Sequence, residues 1–193
     1  MTIGVFGASG RMGRLVIQEA LAQSVNVAAM IDLDTRQETL QGVEVLVDFS
    51  TPGAWGRLGG LLEGTGAALV SGTTGLAPEH RSMLSGWSRD RAVFYSSNMS
   101  TGVFVLNRLV REALSMLGGG FDMEIVEIHH RGKADSPSGT AKRLAQTLLS
   151  AAPFKDTVVT DLPQRPLLKN ELHVAAQRVG ADAGYHAVTF DLG

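Results

Sequence analysis

Five consecutive residues, His129-His130-Arg131-Gly132-Lys133, place two imidazoles, a guanidinium and an ammonium in one short run. Such a cluster suits an anionic substrate: the cations pair with carboxylates, and an imidazole or ammonium passes a proton near neutral pH when its surroundings tune it. Ser138-Gly139-Thr140 follow, and at the mouth of a helix they would aim hydroxyls and backbone N–H groups at an anion. One histidine of this kind is more often a surface or core residue than a functional one; the whole cluster argues the other way. Zinc is the rival ligand, but adjacent histidines without a nearby carboxylate or a third ligand at helical spacing make poor metal geometry, so no metal is expected.

A second constellation, Gly7-Ala8-Ser9-Gly10-Arg11-Met12-Gly13, lies near the N-terminus. Glycines between a strand and a helix give the clearance a pyrophosphate needs to reach backbone N–H groups at the helix start, where the dipole favours negative charge. The spacing is Gly-x-x-Gly-x-x-Gly rather than Gly-x-Gly-x-x-Gly, which makes the motif less specific; the plain alternative is an ordinary strand-to-helix turn. Asp32, 19 residues past Gly13, supports a dinucleotide, because a carboxylate at the end of the second strand accepts hydrogen bonds from ribose hydroxyls. Leu33, Asp34, Thr35 and Arg36 come next. A 2′-phosphate would meet two acids and one displaced guanidinium, which favours NADH over NADPH unless Arg11 or Arg14 reaches the phosphate from the loop side.

The elements that must position these residues are legible from periodicity. Ile3 to Phe6, Val25 to Ile31, Val43 to Phe49, Ala67 to Val70 and Ala92 to Tyr95 read as strands. Helical spacing of Leu15, Val16, Ala20 and Leu21, a helix from about Gly53 to Glu63 weakened by three glycines, and another from about Pro78 to Arg89 alternate with them. Strands alternating with helices predict a parallel sheet covered on both faces. After Ser97-Asn98-Met99-Ser100 the pattern changes. Val103, Leu106, Leu109, Val110, Ala113, Leu114 and Leu117 form one apolar stripe ended by Gly118-Gly119-Gly120. A half-buried strand over Asp122 to Ile128 delivers the histidine cluster; a helix at Gly139 to Ser150 and strands at Leu172 to Arg178 and His186 to Phe190 complete the chain. The domain boundary falls near Met99.

Composition excludes several functions. With 193 residues, 44% of them apolar, the chain can bury a real core in one large or two small lobes. A net charge of −2 with interspersed signs offers no field for nucleic acid or an acidic membrane. The absence of cysteine removes disulfides, thiolate nucleophiles and cysteine-ligated metals. The start Met1-Thr2-Ile3-Gly4-Val5-Phe6 has no basic region or long apolar stretch, so neither a signal peptide nor a spanning helix is expected and a cytoplasmic location is the default.

Five blocks in order resemble the 4-hydroxy-tetrahydrodipicolinate reductases (dihydrodipicolinate reductases) of lysine and diaminopimelate synthesis: Gly7 to Gly13, Asp48-Phe49-Ser50-Thr51-Pro52, Gly72-Thr73-Thr74-Gly75, Ser97 to Val103, and Glu127 through Thr140. The resemblance implies an α/β protein with an N-terminal Rossmann-type parallel sheet (1–98, dinucleotide-binding) and a C-terminal α+β domain (99–193) for substrate binding and oligomerisation. It implies that Gly7, Ala8, Ser9, Gly10, Arg11 and Met12 line the pyrophosphate, that Asp32 holds the adenosine ribose, and that Gly72, Thr73, Thr74, Ser96, Ser97, Asn98 and Met99 surround the nicotinamide. His129 would donate or accept a proton and Lys133 would be the second proton donor, with His130, Lys133, Ser138, Gly139 and Thr140 on the carboxylates of a small dicarboxylate. NADH or NADPH would reduce that cyclic substrate, a hinge would lie near Asn98 to Thr101, and the assembly would be a homotetramer. Two departures stand out: the segment between Asp32 and Val43 is short enough to trim one helix, and typical members continue past Asp191-Leu192-Gly193 through another strand and a C-terminal helix. An apolar face is therefore expected to lie open. The competing readings are a non-catalytic dinucleotide-binding or sensor protein on the same fold, and a related two-domain reductase such as an aspartate dehydrogenase.

Overall fold

The computed structural model describes residues 1–35, 40–181 and 183–192, which form two compact units, Met1–Ser97 and Asn98–Gly193. Arg36 and the middle of the shortened segment after Asp32 lie outside the described residues.

The first unit runs β1 (Thr2–Phe6), α1 (Arg11–Ala22), β2 (Asn26–Ile31), β3 (Val45–Asp48), α2 (Trp55–Leu62), β4 (Ala68–Ser71), α3 (Pro78–Trp87) and β5 (Val93–Tyr95). Its strands pair in parallel in the order β2-β1-β3-β4-β5. Alternation along β1 explains the layers, because successive side chains leave a strand on opposite faces. Ile3 and Val5 pack with Ala8 and Ala20 beneath α1, while Phe6 joins Ile31, Leu46 and Leu69 under Trp55, Leu58 and Leu62 of α2. From β1 the chain winds to β2 on one side and later to β3 on the other, so the crevice at the carboxyl ends of β1 and β3 is the switch point where ligands of such sheets bind.

α2 differs in its start from the expected helix. Pro52–Ala54 form a 3₁₀ turn and the α-helix begins at Trp55. Its glycines are overridden by packing: Trp55, Leu58 and Leu62 are fully buried, and a side chain on Gly59 would meet Trp87 of α3 at 3.4 Å.

The second unit runs α4 (Thr101–Leu117), β6 (Asp122–His129), α5 (Gly139–Ala151), β7 (Thr157–Val159), β8 (Glu171–Arg178) and β9 (Tyr185–Asp191). The sheet order is β7-β8-β6-β9, with β9 antiparallel to β6 and the other pairs parallel. Val110 and Leu114 of α4 and Ala141, Leu144 and Leu148 of α5 cover Met123, Ile125, Leu172 and Val174 of the sheet. The stripe expected on α4 is narrower than its apolar residues suggest: Leu109 is 61% exposed, because at 100° per residue it turns away from the Leu106–Val110–Leu114 line, whereas Leu117 lies on that line and is 37% exposed only as the last residue of the helix. The short strand β7 has no counterpart in the sequence reading. Among the described residues no helix is long and apolar enough to cross a membrane.

Candidate functional site

In the first unit the glycine loop leaves β1 and enters α1 in very little space. Gly7 has φ +83°, and a Cβ there would lie 2.7 Å from the Phe49 carbonyl oxygen. One on Gly13 would lie 2.1 Å from the Gly7 carbonyl oxygen, so both positions require the bare backbone. Gly10 caps α1, placing Arg11 and Met12 in its exposed first turn, where N–H groups have no carbonyl one turn back. Gly7 and Ala8 donate to the Ile31 carbonyl at 2.7 and 3.2 Å. The Ser9 N–H faces both carboxylate oxygens of Asp32 at 3.1 Å, tying the acid at the end of β2 to the loop.

Beside it, Asp48 is buried at the end of β3 and gathers the neighbouring loops. It accepts from the Ser50 N–H at 2.9 Å and from the hydroxyls of Ser50 (2.5 Å), Ser71 (2.6 Å) and Thr73 (2.9 Å). Gly72 lies so close to the Phe49 ring that a Cβ would fall 2.1 Å from it, and Thr74 follows on the surface. Ser96, after β5, donates its N–H to the Ser71 carbonyl at 3.1 Å, and Ser97 closes the unit. A glycine cradle, a helix N-terminus and a strand-end carboxylate at one edge of a parallel sheet fit a dinucleotide. No motif or periodicity points to Arg57: from α2 it donates to the carbonyls of Leu33 and Thr35, at the turn that carries Asp32.

In the second unit the chemistry gathers at the end of β6. Met123, Ile125, Glu127 and His129 share the buried face of that strand, so the side of the strand that begins in the apolar core ends in a carboxylate and an imidazole. His130, pointing the other way, is exposed. Strand register completes the cluster: His186 of β9 pairs with Glu127, and Arg178 of β8 pairs with His129. Glu127 Oε1 accepts from the Ser138 N–H and the Arg178 guanidinium, each at 2.9 Å. Its Oε2 lies 3.6 Å from His129 Nδ1 and 3.4 Å from His186 Nε2. The two imidazoles meet edge to face at 5.0 Å, and His186 Nε2 is 3.1 Å from the Ser138 hydroxyl.

Electrostatics follow from these contacts. Burial pushes the Glu127 carboxyl upward, but hydrogen bonds from Ser138 and Arg178 outweigh it and hold the group below its ordinary range. Burial draws His129 below the usual imidazole range; Glu127 opposes this, and Lys133 and Arg178 add to it. His186 is likewise lowered, first by burial and then by His129. Lys133 pairs with Asp135 at 2.6 Å and depresses that carboxyl.

Ser138 caps α5, its hydroxyl accepting from the Ala141 N–H at 3.1 Å, so Gly139 and Thr140 form the first turn with N–H groups directed outward. Thr140 Oγ1 accepts from Asn98 at 2.8 Å, and Asn98 Oδ1 accepts from the Ser100 N–H at 2.8 Å. Asn98 and Met99 therefore open the second unit, with Asn98 bound to a residue expected on the substrate. Contrary to the expectation from sequence, the histidines do have a carboxylate beside them: His129 faces Glu127 and His186 rather than His130, because adjacent strand residues face opposite ways. The three ligand atoms lie within 4.8 Å of one another, but a cation among them would also face the Arg178 guanidinium on the same carboxylate. The sequence reading assigned Glu127 no role, although its place two residues before His129 on the alternating strand β6 is the signal that finds it, whereas His186 and Arg178 enter only through strand pairing.

Comparison with known proteins covers both units. Residues 1–99 match the family model of the dihydrodipicolinate reductase N-terminus and residues 102–192 that of its C-terminus. The 4-hydroxy-tetrahydrodipicolinate reductase of Wolinella succinogenes is 37% identical, the alignment covering 97% of this chain and 81% of that protein. That of Campylobacter jejuni is 36% identical over 97% and 80%. A dipicolinate-bound dihydrodipicolinate reductase from Paenisporosarcina sp. TG-14 shares the fold, with a TM-score of 0.66 at 20% identity over 98% of this chain and 83% of that one. With both halves matched in order and the relatives aligned over nearly all its length, the chain belongs to the dihydrodipicolinate reductase family.

Proposed function

We propose that the protein reduces 4-hydroxy-tetrahydrodipicolinate to tetrahydrodipicolinate with a nicotinamide dinucleotide, the activity its relatives' names carry. The observation that carries the reading is the end of β6, where a buried imidazole backed by a carboxylate stands in a cluster with Arg178 and Lys133 at the mouth of α5. Gly7, Ala8, Ser9, Gly10, Arg11 and Met12 hold the pyrophosphate in this reading, Asp32 the adenosine ribose, and Gly72, Thr73, Thr74, Ser96, Ser97, Asn98 and Met99 the nicotinamide side. When bound, the dinucleotide supplies a hydride to a ring carbon of the substrate.

The chain's own residues do the rest. His130, Lys133, Ser138, Gly139 and Thr140 bind the two carboxylates, the last two through N–H groups at the start of α5. His129 holds or moves the proton that accompanies reduction, and Lys133, released from Asp135, is the second donor. Residues 1–98 act as the dinucleotide domain and 99–193 as the substrate and oligomerisation domain of a homotetramer working in the cytoplasm.

NADH is favoured over NADPH. Asp32 and Asp34 oppose a 2′-phosphate, and the guanidinium of Arg57 is committed to the carbonyls of Leu33 and Thr35. Supplied with enzymatically generated substrate, the protein should consume NADH, read as falling absorbance. A steady signal with both dinucleotides rejects the reductase reading. Tenfold tighter NADPH binding, about 1.4 kcal/mol, overturns only the preference.

A further inference from the structure

Two buried polar atoms of the second unit face each other and have no hydrogen-bond partner among the described residues: His129 Nδ1 and Glu127 Oε2, 3.6 Å apart. That gap exceeds hydrogen-bond length by only a few tenths of an ångström, and a small movement closes it. The other carboxylate oxygen is already occupied, because Oε1 accepts from Ser138 and Arg178. Oε2 therefore remains the acceptor for the imidazoles on either side of it.

Polarity fixes the proton. An ionised carboxylate only accepts, and Glu127 is held ionised by its donors. A lone pair on Nδ1 would meet a lone pair on Oε2, whereas an Nδ1–H completes both groups. The far nitrogen is treated differently: Nε2 is not sealed without a partner as Nδ1 is, and the residue beside it is Gly184, whose Cβ would lie 2.9 Å from Nε2. Gly184 has φ +147°, a backbone shape that side chains resist. The imidazole is thus anchored on one side and cleared on the other. Glu127 is also the strongest charge acting on His129, opposing burial, so it stabilises the imidazolium whenever Nε2 takes up a proton.

We propose that Glu127 is a positioning residue that fixes His129 in the Nδ1–H tautomer, while Gly184 keeps Nε2 open as the nitrogen that exchanges a proton with substrate. The proposal rests on His129 being the proton-transferring group of the preceding section. His186, which shares Oε2 and touches the Ser138 hydroxyl, braces the carboxylate from the opposite side.

The test uses the full chain with ¹⁵N-labelled histidine and long-range ¹H–¹⁵N correlation at mildly alkaline pH, with the His129 signal assigned from His129→Gln. Wild-type protein should show a protonated Nδ1 and a bare Nε2. In Glu127→Gln the amide oxygen retains Ser138 and Arg178, so the amide NH₂ takes the place of Oε2 and donates. The His129 tautomer should then invert and kcat fall about a hundredfold or more, with KM changing far less. Gly184→Ala should lower turnover while leaving the tautomer as in wild type. An Nε2–H pattern in wild type overturns the proposal without any variant, so it stays decisive even if Glu127→Gln does not fold; an unchanged tautomer in folded Glu127→Gln also overturns it. Failure of the underlying reading looks different: His129→Gln would keep wild-type turnover while the Nδ1–H pattern stood.

Discussion

His129 and His130 are adjacent in sequence yet have separate surroundings, because a strand sends neighbours to opposite faces. His129 joins a buried network and His130 stays exposed. The network carries a pH signature. His129 and His186 are both held below the ordinary 6.5 by burial, so between that value and their folded values the unfolded chain binds more protons, and stability rises with pH there. Glu127, lowered from 4.5, acts in the same direction further down the scale. The stabilisation is complete above about pH 6.5 and is lost as pH falls through the folded values. Urea midpoints should hold level from about pH 8 to about pH 6.5 and then fall progressively toward about pH 5, and less so in His186→Gln. A flat or rising profile on acidification would mean that these imidazoles are not buried neutral.

At the scale of elements, the first strand, glycine loop and helix were legible because the glycines stand where an apolar run gives way to helical spacing. The alternation of β6 was equally readable, and it carried Glu127 and His129 to one face. Other features were hidden for physical reasons. β7 spans three residues, too few to show a period, and α2 forms on packed tryptophan and leucines in spite of its glycines. His186 and Arg178 lie 48 or more residues from their partners Ser138 and Glu127, and only strand pairing brings them in. The crowding at Gly13 yields a prediction for the loop and α1 together. A methyl there would sit 2.1 Å from a backbone oxygen that no side-chain rotation can move. Gly13→Ala should therefore cost about 1–3 kcal/mol in denaturant unfolding and weaken NADH binding in titration; wild-type values for both would show the loop is looser than described.

For the whole molecule, one unit presents a glycine cradle with a strand-end acid and the other an imidazole, carboxylate and cation cluster. Membership of the dihydrodipicolinate reductase family was legible because its blocks span both units in order, and the matches cover residues 1–99 and 102–192. In the proposed function proton transfer belongs to His129 and Lys133 and the pyrophosphate and adenosine ribose to the glycine loop and Asp32. Turnover and NADH affinity of a His129→Ala/Lys133→Ala variant, measured side by side with the unaltered protein, separate the two roles. A kcat lower by about 10²- to 10⁴-fold with NADH affinity unchanged is expected; undiminished turnover in that variant would refute the assignment of proton transfer to these side chains.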